Sequence, residues 1–215
     1  MSTPKIHSLL SRRHLLWTMS AAAIIPVSPV LAQLATTPAQ TLGPYYPVKF
    51  PLDADADLTR VQGRPQRAAG QVIEVFGRVL DSAGAPLPGA KVEIWQCNAV
   101  GRYDHPGDNS RAPLDPNFQG YGTIMADAEG RYRFRTIKPP PYSGRTAHIH
   151  YQVAAARRQL VTQLYFPGEP RNESDGSFRS VRNPSLVLAK SVPALPDGEA
   201  GAPAFAFDIV LGGTA

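Results

Sequence analysis

Short segments in which apolar and polar residues strictly alternate constrain this chain more than any other feature. In Arg131-Tyr132-Arg133-Phe134-Arg135, two aromatic residues alternate with three arginines. Such alternation is typical of a β-strand with one buried face, because successive side chains on a strand point to opposite sides. The turn sequence Asp127-Ala128-Glu129-Gly130 comes directly before this segment. The two together predict a strand that follows a tight turn.

Similar segments recur along the chain and predict about six strands. They cover residues 72–80, 91–96, 131–135, 147–153, 160–166 and 205–211, and turns rich in Gly, Pro and Asp separate them. No stretch of 12 residues shows a helical period, and 22 prolines spread along the chain argue against a mainly helical protein. We therefore predict an all-β fold, an antiparallel β-sandwich.

Two connections are longer than a compact sandwich needs. Residues 97–122 and 167–204 show no period and exceed the usual length of a loop between strands. Loops of this size in a compact domain are usually functional or disordered. We expect them to carry the functional residues of the sandwich.

The first 32 residues are typical of an export signal. Arg12 and Arg13 precede an apolar run that is broken by Pro26 and Pro29 and ends in Val30-Leu31-Ala32, a small-residue cleavage pattern. The paired arginines resemble a twin-arginine signal, although Sec export stays open. We divide the chain into a signal peptide (1–32), an extended N-terminal segment (33–70) and a sandwich domain (71–215). We expect a periplasmic or secreted protein with no membrane anchor after cleavage.

The charge balance argues against a nucleic-acid partner. The whole chain has a formal net charge of +5, but the signal contains Lys5, Arg12 and Arg13 and no acidic residue. Its removal leaves 19 cationic and 17 acidic side chains, a net charge of +2. A nearly neutral domain lacks the basic surface that binds a phosphate backbone. The single cysteine, Cys97, also excludes an intrachain disulfide.

Two histidines are placed to bind one metal ion. In the predicted strand 147–153, Ala147, Ile149, Tyr151 and Val153 share an apolar face, whereas His148, His150 and Gln152 share the other face. Imidazole is a ligand of Zn, Cu, Fe and Ni. By itself the pair is equally consistent with two unrelated histidines on a solvated face.

The neighbouring residues offer tyrosines rather than carboxylates or thiols as further ligands. No acid lies between Gln152 and Gln159, whereas Tyr142 precedes His148 by six residues and Tyr103 lies in the long loop after strand 91–96. A phenolate is a hard anionic ligand and favours a hard trivalent ion. Two phenolates with two imidazoles would suit Fe(III).

At these residues the sequence resembles the intradiol ring-cleavage dioxygenases, the non-haem Fe(III) family of protocatechuate and catechol dioxygenases. The resemblance runs from Thr41 to about Phe166, and the order and spacing of its motifs agree with that family. The motifs that carry it are Thr41-Leu42-Gly43-Pro44-Tyr45-Tyr46-Pro47, Gly77-Arg78-Val79-Leu80-Asp81, Pro88-Gly89-Ala90-Lys91-Val92-Glu93-Ile94-Trp95-Gln96, Gly101-Arg102-Tyr103, Arg145-Thr146-Ala147-His148-Ile149-His150 and Thr162-Gln163-Leu164-Tyr165-Phe166.

The resemblance implies a role for each matched residue. Tyr103, Tyr142, His148 and His150 match the four iron ligands, and Tyr142 matches the tyrosinate that leaves the iron when substrate binds. Arg145 matches an arginine that stabilises negative charge beside the substrate ring, and Gln163 matches a glutamine of the same pocket. Only two residues separate Tyr142 from Arg145, fewer than in the better-known members.

Three further sets of residues are assigned by their position in the sequence. Tyr132 and Tyr151 lie on strand faces and are expected in the core. Tyr45 and Tyr46 either line the pocket or anchor the N-terminal segment. Supporting roles next to the ligands are open for Gln96, Cys97 and Asp104, which flank them in sequence.

The resemblance implies cleavage of a catechol-type ring by O2 to a cis,cis-muconate-type diacid, with residues 71–215 as the catalytic domain. The chain lacks the helical N-terminal region of the catechol and hydroxyquinol members, which favours a protocatechuate-like or separate exported branch. The alternative is a non-catalytic, transthyretin-like β-sandwich binding module, since a strand, a Gly/Pro turn and a strand such as 77–95 are common in such modules. The sequence leaves open the ring substituents of the substrate and whether the chain forms a homo-oligomer.

Overall fold

The computed structural model describes residues 33–213, and these residues form nine strands and one short helix. The strands are β1 (Val72–Asp81), β2 (Lys91–Trp95), β3 (Tyr121–Met125), β4 (Arg131–Ile137), β5 (His148–Ala155), β6 (Arg158–Tyr165), β7 (Lys190–Val192), β8 (Ala204–Ala206) and β9 (Ile209–Leu211). Helix α1 covers Gly176–Arg179, and single 3₁₀ turns cover Asn172–Ser174 and Pro184–Leu186. None of the helices in this part of the chain is long and apolar enough to cross a membrane.

The strands form two sheets that pack as a sandwich. One sheet has the order β4-β1-β8-β7, with β9 also paired to β1, and the other has the order β3-β2-β5-β6. Most neighbours are antiparallel, although β8 and β9 both pair with β1 in parallel. The predicted all-β sandwich is confirmed.

The two faces of β5 point into different surroundings, as its alternation predicts. Ile149, Tyr151 and Val153 are fully buried in the main core, together with apolar residues of β1, β2 and β4. His148 and His150 lie on the opposite face of the same strand, where they are buried beneath other parts of the chain. The core between the sheets therefore sets the position of both imidazoles.

The C-terminal strand is divided in two, unlike the single strand predicted for residues 205–211. Phe207 donates its N–H to the carbonyl of Phe76, and the Asp208 carboxylate accepts from the N–H of Arg78, which interrupts the pairing between β8 and β9. A Cβ on Gly77 would lie 2.0 Å from the Phe207 carbonyl oxygen. Glycine is required at this point of β1 because the two backbones touch.

Strands β3 and β7 are missed by the alternation pattern. Strand β3 begins within the predicted loop 97–122, and β7 lies within the predicted loop 167–204. A Cβ on Gly122 of β3 would lie 2.5 Å from the carbonyl oxygen of Asp55, so the glycine lets the N-terminal segment pack directly on this edge strand. Strand β7 has only three residues, too few to show a period.

The segment 33–70 lies along both sheets without a helix or strand of its own. Leu34 donates its N–H to Ser82, Gln40 donates to Val161, and Leu58 donates to Arg135, so its backbone bonds alternate between partners on different sheets. The division of the chain at residue 70 stays a prediction. The predicted signal peptide, 1–32, lies outside the described residues.

A buried carboxylate, Glu74 of β1, makes the stability of the sandwich depend on pH. Burial raises its pKa, but hydrogen bonds from Arg133 and Arg135 of β4 outweigh burial and hold the pKa below its ordinary value. The stabilisation is therefore present above about pH 4.5 and is lost as the pH falls through the lowered, folded-state pKa. We expect the free energy of unfolding to fall on acidification, and a Glu74→Gln variant to show a shallower fall between about pH 5 and pH 3 in urea titrations. An unchanged slope would contradict this role for Glu74.

Candidate metal centre

Two imidazoles meet on the outward face of β5. The Nε2 atoms of His148 and His150 lie 3.3 Å apart. The Nδ1 atom of His148 lies 2.6 Å from the carbonyl oxygen of Thr146. Because a carbonyl oxygen only accepts hydrogen bonds, Nδ1 of His148 carries the proton and Nε2 presents a lone pair. The histidine is thus oriented as a metal ligand usually is.

Two loops bring tyrosines to the same point. Tyr103 comes from the long loop after β2, and Tyr142 from the loop between β4 and β5. The Tyr103 hydroxyl donates to the Tyr142 oxygen at 3.2 Å, and the Tyr142 oxygen lies 3.3 Å from Nε2 of His148. The structure therefore brings together all four residues that the sequence analysis selects as metal ligands.

Three contacts among these donor atoms have the spacing expected for ligands of one metal ion. Two nitrogen or oxygen ligands, each about 2.0–2.1 Å from a common ion, lie roughly 3.0–3.4 Å from each other, and the observed separations are 3.2–3.3 Å. Within residues 33–213, no group of three His, Cys, Asp or Glu side chains is arranged to hold a metal ion. The donors that converge at this site are two phenols and two imidazoles.

Burial sets the charge of these donors in the absence of a cation. It lowers the pKa of His148 to about 4, with help from the positive charge of Arg145, and it lowers the pKa of His150 well below its ordinary value. Burial also raises the pKa of Tyr103 well above 10 and that of Tyr142 to about 12. Both imidazoles are therefore neutral ligands, and the phenols ionise only if a cation compensates for their burial.

A two-residue turn accommodates the short spacing between Tyr142 and Arg145. Each of these residues donates its N–H to the carbonyl of the other, at 3.2 and 2.7 Å. The central residues Ser143 and Gly144 both have positive φ, 43° and 80°, as a tight hairpin turn of type I′ requires. The Tyr142 ring and the Arg145 guanidinium are consequently held on one rigid turn.

Arg145 is fixed by a carboxylate that the sequence analysis did not select. Its Nε donates to Oδ2 of Asp175 at 2.8 Å, and its terminal nitrogen donates to Oε1 of Gln163 at 2.6 Å and to the Tyr165 hydroxyl at 3.3 Å. The Asp175 side chain has no exposed surface and also accepts from the N–H of Thr146. Gln163 of β6 lies directly opposite His150, so strand pairing places it beside the donor cluster.

Asp175 itself is held by the start of α1. Its second oxygen, Oδ1, accepts from the N–H groups of Ser177 and Phe178, both at 2.9 Å, as an N-cap carboxylate does. Burial raises its pKa, but these and the other hydrogen bonds outweigh burial, so the pKa stays below its ordinary value. In the sequence, only the turn-like Asp-Gly-Ser in the long loop 167–204 marks Asp175. Because Arg145 lies 30 residues earlier, the sequence does not show that the two side chains meet.

Aromatic and glycine residues enclose His150. The Trp95 ring stacks on the His150 ring, with centroids 4.9 Å apart and an angle of 11° between planes. A Cβ on Gly43, whose φ is +78°, would lie 3.0 Å from Cε1 of the same imidazole. Tyr45 packs on Tyr103 with ring centroids 4.6 Å apart. The N-terminal segment therefore completes the wall of the site.

Replacing Gly43 with alanine is expected to displace His150 and weaken metal retention. Gly63 has the same φ of +78° but no atom within 4 Å of the position of its Cβ, so Gly63→Ala controls for backbone strain. We expect Gly43→Ala to lower metal affinity about 10-fold or more, comparable to the loss of an outer contact to a metal ligand, whereas Gly63→Ala leaves it unchanged. Iron content after dialysis against a chelator measures the effect. Equal iron loss in the two variants would show that strain alone is responsible.

The remaining tyrosines of the sequence analysis fall into two groups. Tyr132 and Tyr151 lie in the main core, as expected. Tyr45 packs on Tyr103 and Tyr142, and the Tyr46 hydroxyl donates to the buried carboxylate of Glu93.

The three flanking residues have different surroundings. The Gln96 side chain hydrogen-bonds to Thr136 and to the carbonyl of Ile137. Cys97 is buried beside Tyr103 and Tyr142, and burial raises the pKa of its thiol to about 12. Asp104 is exposed, and it is Asp108 whose carboxylate accepts from the N–H of Tyr103, at 2.7 Å.

Comparisons with known proteins agree on one family. A family model described as dioxygenase matches residues 41–213. The protocatechuate 3,4-dioxygenase β chain of Burkholderia cepacia is 43% identical over 171 residues, which cover 74% of this chain and 72% of the relative. A catechol 1,2-dioxygenase of Pseudomonas sp. strain EST1001 is 35% identical over 161 residues, 66% of this chain and 51% of the relative. The chain thus spans about half the length of that catechol dioxygenase.

A solved structure supports the same assignment. The dioxygenase domain of a dioxygenase–carbohydrate-binding protein fusion from Streptomyces sp. SirexAA-E aligns with a TM-score of 0.65 and 34% identity, over 84% of this chain and all of that domain. The family model spans all nine strands and all four converging donor residues. The chain belongs to the intradiol ring-cleavage dioxygenase family.

Proposed function

We propose that this protein is a non-haem Fe(III) intradiol dioxygenase. It cleaves a catechol-type ring between the two hydroxylated carbons with O2, and both oxygen atoms enter a cis,cis-muconate-type dicarboxylic acid. The observation that carries this proposal is the convergence of Tyr103, Tyr142, His148 and His150, whose donor atoms are linked by contacts of 3.2–3.3 Å. The family is known to use non-haem iron. Fe(III) bound here would serve as a Lewis acid and a template for the two catechol oxygens.

Tyr142 is the ligand best placed to accept a substrate proton. Its side chain is only partly buried, whereas Tyr103, His148 and His150 are buried. Burial raises the pKa of Tyr142 to about 12, so a phenolate released at this position is a strong base. A catechol hydroxyl next to Oη of Tyr142 can therefore transfer its proton there.

Arg145 supplies the positive charge of the pocket. Its Nε and terminal nitrogen are fixed by Asp175 and Gln163, so the guanidinium does not have to be reoriented when negative charge develops on the ring. Its charge also lowers the pKa of Tyr142 against the effect of burial. We assign Arg145 the stabilisation of the substrate anion and Gln163 the positioning of that guanidinium.

Labelled oxygen tests the reaction. The iron-loaded protein is incubated with catechol under ¹⁸O2, and mass spectrometry of the product should find both labelled atoms in an acyclic diacid, with one O2 consumed per catechol. A ring-opened semialdehyde would indicate cleavage next to the two hydroxylated carbons rather than between them, and would overturn the proposal. The non-catalytic alternative predicts no oxygen uptake at full iron loading. Visible absorption from tyrosinate-to-Fe(III) charge transfer is an independent readout, and a colourless iron-loaded protein would exclude two tyrosine ligands.

We further propose that the protein acts in the periplasm or outside the cell. Arg12 and Arg13, followed by the interrupted apolar run, support this location. Fractionation of cells that express the full chain should place a shortened protein outside the cytoplasm. If the twin-arginine pathway is used, an Arg12→Lys, Arg13→Lys double variant should keep the protein in the cytoplasm. If export uses Sec, the double variant should be exported almost normally.

A further inference from the structure

The short connection from Arg145 to β5 is held by the loop that follows β6. Thr146 lies in this connection and is fully buried. The loop contributes Asn172 and Asp175, and both of these residues are more than nine-tenths buried. Thr146 is therefore a point at which a second loop meets the chain just before the histidine ligands.

Every hydrogen-bonding group of Thr146 has a buried partner. Its N–H donates to Oδ2 of Asp175 at 2.8 Å, and its hydroxyl contacts Oδ1 of Asn172 at 2.9 Å. Its carbonyl accepts from Nδ1 of His148 at 2.6 Å. The residue whose carbonyl fixes the tautomer of His148 is thus held both through its peptide N–H and through its side chain.

The orientation of the Asn172 amide is also determined. Its Nδ2 donates to the carbonyl of Phe166 at 2.9 Å. Because a carbonyl oxygen only accepts hydrogen bonds, the amide nitrogen must face Phe166 and the amide oxygen must face Thr146. The Thr146 hydroxyl is consequently the donor to Asn172. Rotation of either group would leave a buried polar atom without a partner, which is unfavourable.

The loop after β6 has apolar packing of its own that supports Asn172. Its buried cluster consists of Phe178, Val181 and Val187 of the loop and Tyr165 of β6. The rings of Tyr165 and Phe178 pack edge to face, with centroids 5.1 Å apart. This packing fixes the loop to β6, so Asn172 reaches Thr146 from a rigid support.

Hydrogen bonding orients the two imidazoles of the cluster differently. Among the described residues, Nδ1 of His150 has no hydrogen-bond partner, and its ring is stacked on Trp95 instead. His148 is oriented by the Thr146 carbonyl. A histidine that binds a metal usually donates its second ring nitrogen to such an acceptor, and mutation of these outer partners commonly lowers metal affinity about 10–100-fold.

We propose that Thr146 and Asn172 are positioning residues for His148, and that the hydrogen bond between them keeps this imidazole in the orientation that binds the metal ion. Both residues act through the Thr146 carbonyl rather than by contact with the metal. This inference rests on the proposed function, because it takes Fe(III) as the ion that His148 binds. It gives the loop after β6 a second role besides the orientation of Arg145, namely retention of the metal.

Iron affinity, measured by competition with a chelator, tests the proposal in matched variants. Thr146→Val removes the hydroxyl but keeps the shape of the side chain, and Asn172→Leu removes its partner. We expect each to lower iron affinity about 10-fold or more. The double variant should lose little more than the larger single effect, because both substitutions break the same bond. Thr146→Ser keeps the hydroxyl and should retain the affinity of the unsubstituted protein.

Thr162→Val is the control for loss of a buried hydroxyl. Thr162 is also fully buried, but its hydroxyl donates to the carbonyl of Pro38 at 2.8 Å. This variant should keep its iron. Unchanged affinity in Thr146→Val, or an equal loss in Thr162→Val, would overturn the proposal.

Nitrogen-15 NMR of the iron-free protein separates positioning from a general loss of stability. The unsubstituted protein should show the His148 proton on Nδ1, as a downfield resonance that exchanges slowly with water. In Thr146→Val this resonance should move upfield and exchange faster, whereas in Thr162→Val it should not change. A proton on Nε2 in the unsubstituted protein, or the same Nδ1 resonance in Thr146→Val, would overturn the positioning role.

Oxygen uptake with catechol is recorded separately on the iron-loaded protein. If the Thr146 and Asn172 variants lose iron and change the His148 resonance as expected, but the unsubstituted protein consumes no oxygen, the proposed function fails and the positioning role stands. If the unsubstituted protein cleaves catechol and Thr146→Val binds iron equally well, the positioning role fails and the proposed function stands.

Discussion

A His148→Ala variant is expected to lose its iron and its activity together. The structure gives His148 a fixed tautomer and a lone pair directed at the other donors, so its removal opens the centre of the cluster. Loss of a group that only orients a ligand already lowers metal affinity about 10–100-fold, so loss of the ligand itself should exceed about 100-fold. Oxygen uptake with catechol should fall at least as much.

Iron content and the visible spectrum check this result together with activity. Gln152→Ala is the matched control, because Gln152 lies on the same face of β5 and donates to Glu93 rather than to the cluster. We expect the control to keep its iron and its colour. A His148→Ala protein with normal iron content and normal absorption would show that the ligand assignment is wrong.

The second large effect is expected from Asp175→Asn, which should impair turnover while iron stays bound. The substitution removes the charge that faces Nε of Arg145, and the guanidinium is then free to move away from the substrate ring. Misplacement by about 1 Å can cost roughly 100-fold in rate, so we expect kcat/KM to fall about 10–100-fold. The free energy of unfolding should also fall by about 1–3 kcal/mol, because a buried hydrogen-bonded group is altered.

A control variant distinguishes the loss of Arg145 positioning from a loss of protein stability alone. Asp197→Asn is the control, since Asp197 makes an ion pair of the same 2.8 Å length with Arg133 but is 79% exposed. It should change neither kcat nor the melting temperature appreciably, as is usual for exposed pairs. If Asp175→Asn lowers only the melting temperature and leaves kcat, KM and the iron spectrum intact, its role is structural and Arg145 does not depend on it.

The fold was largely predictable because its signals are local. Alternation of apolar and polar residues marks β4 and β5, and in β5 it placed both histidines on one face. The sequence pattern did not predict strand β3. Position 122 must be glycine because the carbonyl of Asp55, 67 residues earlier in the chain, packs directly against it. Such a contact leaves no period in the sequence.

The residues of the donor cluster were predictable from motifs, but their supporting contacts were not. Tyr103, Tyr142, His148 and His150 could be selected by residue type and by family resemblance. Asp175 contacts Arg145 only because the loop after β6 folds back against the end of the loop before β5. The same limit explains why Asp104 was selected beside Tyr103 although Asp108 holds its backbone.

The two faces of β5 allow the core and the site of such an enzyme to evolve separately. Residues that stabilise the sandwich point one way, and the proposed metal ligands point the other way, beneath the N-terminal segment. Substitutions at exposed residues of the N-terminal segment therefore leave the main core untouched, and most exposed positions tolerate change within about 0.5 kcal/mol. The N-terminal segment that covers the proposed ligands can therefore vary at exposed positions such as Val48 and Leu52 without a compensating change in the core.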